Sequence, residues 1–373
     1  IESGKKFYDP NIDRKTKIMD ESFTLTKDGF PLPANIEISN SGVCNRKCSF
    51  CPRSDPDFEH INEFFPNDVH DKLCQELAEH NYKGIFSYCG FNEPLLKKDI
   101  HRDIKAARKY LPNAKIEIVT NGDVLNRDRL KMLFDAGLTT LLVSVYDGKK
   151  EEDNFHKMCE DLKLDKSSYI IRNRYMSEKF DHGLTLVNRV DIFKNRKEKE
   201  KKISIARKCT YPSYMFFIDY NGDVLMCSHD WGKRMVLGNI KKDSFLKIWT
   251  TQQAMLNRKN LNKAKRCFAP CDGCDVIGTL EGEKHAKAWD DLKIPLHLTR
   301  FSQRYQDADN LLNKNPQVKH IVSHSLGGAV GLELAERHPE MPLDNITYGA
   351  PLLQVGGQKY KRFRHPMDPI SMM

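Results

Sequence analysis

Three cysteines at C-x3-C-x2-C spacing, in Cys44-Asn45-Arg46-Lys47-Cys48-Ser49-Phe50-Cys51, constrain this chain more than any other stretch. They follow a strand-like run, Ile36 to Ser39, so the spacing places three thiols on one loop at a strand end. Three thiolates can hold three irons of a 4Fe–4S cube and leave the fourth iron open to bind a small molecule and pass it an electron. Phe50, just before the third cysteine, would shield such a cluster from water. A zinc knuckle, or unconnected thiols, is the alternative reading of the same residues.

Eleven cysteines in 373 residues make that alternative worth carrying. The chain starts at Ile1, shows no secretory signal and has no apolar run near the roughly twenty residues of a membrane span. A cytoplasmic, reducing setting is therefore expected, where clustered cysteines read as metal ligands or reactive thiols. The formal charge of +9 is spread along the sequence. A basic balance favours anionic partners such as phosphorylated substrates, nucleic acid or acidic carrier proteins, but a charge so spread is a weak signal, and neither a nucleic-acid nor a membrane partner is expected. Length alone predicts two or three domains.

Taken in order, residues 1–34 read as an irregular lead-in with Asp-Gly and Pro-x-Pro turns. From 35 to 193, strands (near 35–40, 84–88, 115–120, 139–146 and 168–172) alternate with helices (near 67–80, 99–110, 126–136 and 150–162). This alternation with short connections predicts a parallel sheet wrapped by helices, with ligands at the C-terminal strand ends. A charged linker is expected at 194–208 and a second small domain at 209–290. A third segment is expected at 297–373.

Three further strand-end motifs join the cysteine loop: Gly90-Phe91-Asn92-Glu93-Pro94, Thr120-Asn121-Gly122, and Ser144 in Val143-Ser144-Val145-Tyr146. Together with the cysteines they resemble the radical S-adenosylmethionine (radical SAM) enzymes over about residues 35–190. The resemblance implies a partial (β/α)6 TIM-like barrel, with Cys44, Cys48 and Cys51 holding the SAM-binding 4Fe–4S cluster. It also implies that Phe50, Gly90, Asn92, Glu93, Pro94, Thr120, Asn121 and Ser144 line the cofactor. The segment departs from the family's Gly-Gly-Glu-Pro, which leaves the role of its first residues open.

A second thiol group follows. Cys209 and Cys227 flank two β-rich runs joined at Asn221-Gly222, a hairpin signal that would bring the two cysteines together. Cys271-x2-Cys274 puts two more on one tight turn. Four thiolates suit a closed zinc site as well as a cluster. The arrangement resembles the SPASM/Twitch extension, a small α+β domain, with Gly238-Asn239-Ile240 leading into a helix at about 244–256 that carries Trp249. That resemblance implies an auxiliary 4Fe–4S cluster on Cys209, Cys227, Cys271 and Cys274, as in one-cluster dehydrogenases. Cys267 repeats the C-x3-C-x2-C spacing and could replace one of the four.

Residues beyond about 295 resemble part of an α/β-hydrolase, close to class 3 lipases, in Ser323-His324-Ser325-Leu326-Gly327-Gly328. Ser325 would stand as nucleophile and Asp368 as acid. Ser323 replaces the first glycine of the elbow, and no histidine follows Asp368, so hydrolase activity is not expected.

The resemblance therefore implies reductive cleavage of SAM to a 5′-deoxyadenosyl radical and hydrogen abstraction from a sugar or polyol, in a net oxidation aided by the auxiliary cluster. An external donor of flavodoxin or ferredoxin type is implied with it. Two other readings stand beside this one: a radical SAM/SPASM enzyme modifying a peptide, and a zinc-stapled binding protein with a lipase-like module.

Overall fold

The computed structural model describes residues 11–176, 178–184, 187, 207–276, 282–292, 303–318, 320–324, 334, 338, 344–348 and 361–363. They divide into two compact units, residues 1–249 with 256–290, and residues 250–255 with 291–373. The expected linker at 194–208 lies outside the described residues except for its last two positions.

The first unit is built on strands β1 (Asn35–Ile38), β2 (Ile85–Tyr88), β3 (Lys115–Thr120), β4 (Thr140–Val145) and β5 (Tyr169–Asn173). Each pairs in parallel with the next. The helices between them bury one stripe each. In α2 (Asn67–Ala78) the stripe is Val69, Leu73 and Leu77, spaced at one turn. Helix α3 (Ile100–Tyr110) buries Ile100, Ile104 and Ala107. Helix α4 (Arg127–Asp135) is capped by the Asn126 side chain, which accepts from the Arg129 N–H at 2.8 Å. Helix α5 (Lys149–Asp161) sends Glu151 back to accept the N–H groups of Tyr146 and Asp147, fixing the end of β4.

The edge of β1 is covered from outside the core expected at 35–193. Strand β6 (Met215–Ile218), from the expected cysteine hairpin, pairs in parallel with β1 from Asn35↔Met215 to Ile38↔Ile218. Strands β7 (Asp223–Leu225) and β8 (Val236–Asn239) then run antiparallel. The result is one eight-stranded sheet, ordered β5-β4-β3-β2-β1-β6-β7-β8, whose sixth parallel strand comes from the hairpin. Periodicity could not show this pairing, since it depends on which distant edge the hairpin meets.

Two expectations are corrected. The lead-in is not wholly irregular: α1 spans Asn11–Glu21. Met19 is buried in it, and Arg14 pairs at 2.6 Å with Glu117, a fully buried carboxylate of β3. Tertiary contacts stabilise a helix that local sequence does not announce. The single helix expected at 244–256 is two, α7 (Phe245–Trp249) and α8 (Gln252–Asn262). Trp249 is anchored where α7 ends, donating to the Pro31 carbonyl at 2.8 Å.

Arg258 is the least ordinary core residue. It is 1 % exposed, with its guanidinium 3.7 Å from the Trp249 ring centre and 4.3 Å from that of Trp289. It donates to the carbonyls of Pro212 and Trp249, each at 2.7 Å. Arg258→Ala is expected to cost roughly 3 kcal/mol, from lost cation–π contact and carbonyls left without donors. A thermal melt lowered by several degrees would show it, and an unchanged melt would refute it.

The second unit contains α10 (Gln303–Lys314), which follows α6 (Tyr211–Tyr214) and α9 (Glu283–Asp291) of the first unit in chain order. A parallel sheet in the order β11 (Lys361–Phe363), β10 (Asp344–Tyr348), β9 (His320–His324) completes its described elements. Leu312 and Leu334 pack together there with Ala308, Val318 and Ile321. Strand β9 ends one residue before Ser325; Ser325 and Asp368 themselves lie outside the described residues. Among the described residues, no helix is long and apolar enough to cross a membrane.

Candidate active site and second thiol centre

The C-terminal ends of β1–β5 surround a cavity of about 240 Å³. Cys44, Cys48 and Cys51 line it, together with Phe50, Gly90, Asn92, Glu93, Thr120, Asn121 and Ser144. Pro94, the other residue expected here, does not line it. It opens the short 3-10 turn Pro94–Leu96, and its carbonyl accepts from Asn40 at 3.2 Å.

The cysteine loop is shaped by its own hydrogen bonds: Cys51 N–H to the Cys48 carbonyl, and Arg46 N–H to the Cys44 sulfur. It is tied to neighbouring strand ends by charge. Arg46 bonds Asp123, after β3, and Asp147, after β4, and lies 3.9 Å from Glu151. Its guanidinium also stands 4.9 Å from the Tyr146 ring centre. The three carboxylates lie close enough to suggest a cation site, but Arg46 is the cation they hold. Phe50 stacks on Tyr146 at 6.1 Å and touches His182.

Glu93 is a bracket. It is 2 % exposed, and its carboxylate accepts from Leu95 N, Thr120 Oγ1 and Asn121 N at 3.0, 2.6 and 2.8 Å. Those bonds join the loop after β2 to the end of β3. They use three of about four lone-pair positions and leave one for a ligand donor. Gly90 has φ +107°, and a Cβ there would meet Ser39 Oγ at 2.5 Å, so only glycine fits.

The sequence reading missed Arg46, Arg53, Cys89, Tyr146, Arg172, Arg174 and Trp231, all of which line the cavity. Arg172 and Arg174 alternate at the end of β5, and Arg172 donates to Ser144 Oγ at 3.0 Å. That period-two pattern was the available signal. Trp231 had none: it arrives from beyond β7 because β6 lies on β1. Its ring centre is 4.1 Å from that of Phe91.

The second group gathers Cys209, Cys227, Cys271 and Cys274. Burial pushes the Cys227 thiol well up, and the nearby Cys209, Cys274 and Cys271 push it further. Burial also raises Cys209, and it lifts Cys271 to about 12. Two arginines assemble the site. Arg207 donates to the carbonyls of Cys274 and Asp275, and Arg266 donates to the carbonyl of Arg207 at 3.0 Å. Cys267 is exposed, whereas the other four are half-buried.

Spacing discriminates between the metals. A tetrahedral zinc at about 2.3 Å from each sulfur sets its ligands about 4 Å apart. Among the described residues, no three thiols lie within 4.8 Å of one another. Ligands on different irons of a 4Fe–4S cube stand further apart than those on one ion, and both thiol sets are compatible with that arrangement. In the first set, burial raises Cys44 and takes Cys48 to about 11. Loading iron must therefore displace protons from these thiols.

Residues 38–185 match the radical SAM superfamily, and residues 209–275 match SPASM, an iron–sulfur cluster-binding domain. The chain is a radical SAM protein with a SPASM domain. It is 28% identical, over 253 residues, to the S-adenosyl-L-methionine-dependent 2-deoxy-scyllo-inosamine dehydrogenase of Niallia circulans, covering 67% of this chain and 96% of that protein. Against the GTP 3′,8-cyclase of Aquifex aeolicus it is 33% identical over 125 residues, which is 32% of this chain and 37% of that one. The crystal structure of BtrN in complex with AdoMet and 2-DOIA superposes with TM-score 0.58 at 25% identity, covering 69% of this chain and 98% of that chain. The protein is a radical SAM oxidoreductase whose cofactors are SAM, a SAM-binding 4Fe–4S cluster and an auxiliary 4Fe–4S cluster. The zinc-stapled binding protein is set aside.

Proposed function

We propose that this radical SAM protein oxidises a hydroxyl of a polyhydroxylated ring, an aminocyclitol or sugar, to a ketone. The observation that carries the reading is the span of one likeness: 96% of a 2-deoxy-scyllo-inosamine dehydrogenase is matched. Cys44, Cys48 and Cys51 are assigned to the SAM-binding cluster, and Cys209, Cys227, Cys271 and Cys274 to the auxiliary one. When bound, these groups supply reductive cleavage of SAM and the one-electron chemistry of hydrogen abstraction.

The chain's share is orientation and exclusion of water. Arg46 fixes the cysteine loop against β3 and β4, and Phe50 covers it. Glu93 holds the strand-end loops together and keeps a lone pair for an ammonium group. Ser144 and Arg172 offer hydrogen bonds to hydroxyls, and Trp231 gives the ring an apolar wall. An external one-electron donor of flavodoxin or ferredoxin type completes the system, in a reducing cytoplasm where cysteines serve as metal ligands rather than disulfides.

Anaerobically reconstituted protein, given dithionite, SAM and 2-deoxy-scyllo-inosamine, is expected to form 5′-deoxyadenosine and ketone together. Deoxyadenosine release stimulated by peptides and not by cyclitols or sugars would overturn the reading in favour of a peptide-modifying enzyme.

A further inference from the structure

The cavity wall holds two arginines near the cysteine loop, and their charges are handled in opposite ways. Arg46 is neutralised by Asp123 and Asp147. Arg53, two residues after Cys51, is 3 % exposed. It donates to the Phe91 carbonyl at 2.5 Å and the Gly42 carbonyl at 3.0 Å, and it meets His60 Nδ1 at 3.1 Å. The Phe58 ring lies 5.0 Å from its guanidinium carbon. Among the described residues no carboxylate bonds it. Asp219, an acid whose field reaches it, is paired with Lys233 at 2.5 Å. The other acidic groups whose fields reach it are the cysteines Cys44 and Cys51, which become anions as cluster ligands, and Tyr220.

A buried arginine without a carboxylate needs an anion, because an unpaired charge in low dielectric is costly. Three thiolates around a 4Fe–4S cube with a 2+ core carry one net negative charge, and reduction makes it two. We propose that Arg53 is the fixed countercharge of the SAM-binding cluster and raises its reduction potential, so that the external donor can reduce it. Net charge around a cluster is one determinant of its potential. The electron comes from that donor and enters the cluster; no bond to Arg53 forms or breaks. Arg53 touches no reacting atom and acts through the cluster. Its carbonyl bonds hold the cation in place, and its burial keeps water from screening it.

This inference rests on the cluster assignment above. The test is a redox titration of reconstituted full-length protein, followed by electron paramagnetic resonance through the signal that shifts when SAM is added. Iron and sulfide are measured on every sample. For Arg53→Gln, the reduced-to-oxidised ratio at a fixed donor poise is expected to fall at least tenfold, a shift of about 59 mV for one electron. Arg53→Lys, which keeps the charge, should stay within threefold of the parent. An unchanged potential in a fully loaded Arg53→Gln overturns the proposal. So does an equal fall in Arg53→Lys, which would implicate shape rather than charge. A variant that folds but holds no iron also overturns it, by making Arg53 part of the loop's fold. Absence of any SAM-sensitive signal in the parent would instead refute the cluster assignment.

Discussion

Replacing Cys44, Cys48 and Cys51 together by alanine is expected to halve the iron of the reconstituted protein, from about eight to about four per chain, and to abolish deoxyadenosine formation. Two features make the expectation sharp. The three thiols occupy a short loop tied to its surroundings by its own Arg46 on Asp123 and Asp147, by Glu93 N–H on the Val43 carbonyl, and by Asn121 on Asn45. Their removal deletes the ligands and the Arg46 N–H bond to the Cys44 sulfur, but leaves these longer-range ties in place. The second thiol set is built on other segments, fixed by Arg207 and Arg266, so its iron should survive. Iron and sulfide analysis with a deoxyadenosine assay checks both halves. Four irons in the parent would leave only one cluster, and stoichiometric zinc without sulfide would remove both.

What the sequence made legible was chemistry that spacing encodes. C-x3-C-x2-C, the strand-end motifs and the alternation of strands and helices each express a local geometric requirement, and they place the cavity's thiols and most of its expected lining. What it left hidden was set by distant pairing. Nothing near Met215–Ile218 states that this strand will lie on β1 rather than stand apart, yet that choice brings Trp231 to the cavity. Helix α1 was hidden for the same reason, since its anchor, Glu117, lies about a hundred residues away. Arg53 was hidden differently. An arginine after a cysteine loop reads as a solvated surface charge, and only its burial, with carbonyls in place of carboxylates, gives it meaning. Pro94 was grouped with the cofactor-lining residues by motif; in the fold it shapes the turn that carries Glu93.

Replacing Cys209 and Cys271 by alanine is expected to separate SAM cleavage from product formation. Iron should again fall to about four per chain, the same content as in the first variant. Deoxyadenosine should now persist within a few-fold of the parent while the oxidised product falls more than tenfold. The contrast matters more than either number. Hydrogen abstraction needs only the first cavity, but turning a carbinol into a ketone requires one more electron and one proton to leave. The hairpin that carries Cys227 also carries Trp231 into the cavity, so the second centre is built into the sheet that forms the first. Cys267→Ala serves as the comparison. Its thiol is exposed, whereas the other four are half-buried, so iron and product should both remain. Loss of iron on removing Cys267 would make it a ligand in place of one of the four. Undiminished product from the Cys209/Cys271 variant would show that the electron leaves by another route, and the oxidation would then owe nothing to the SPASM domain.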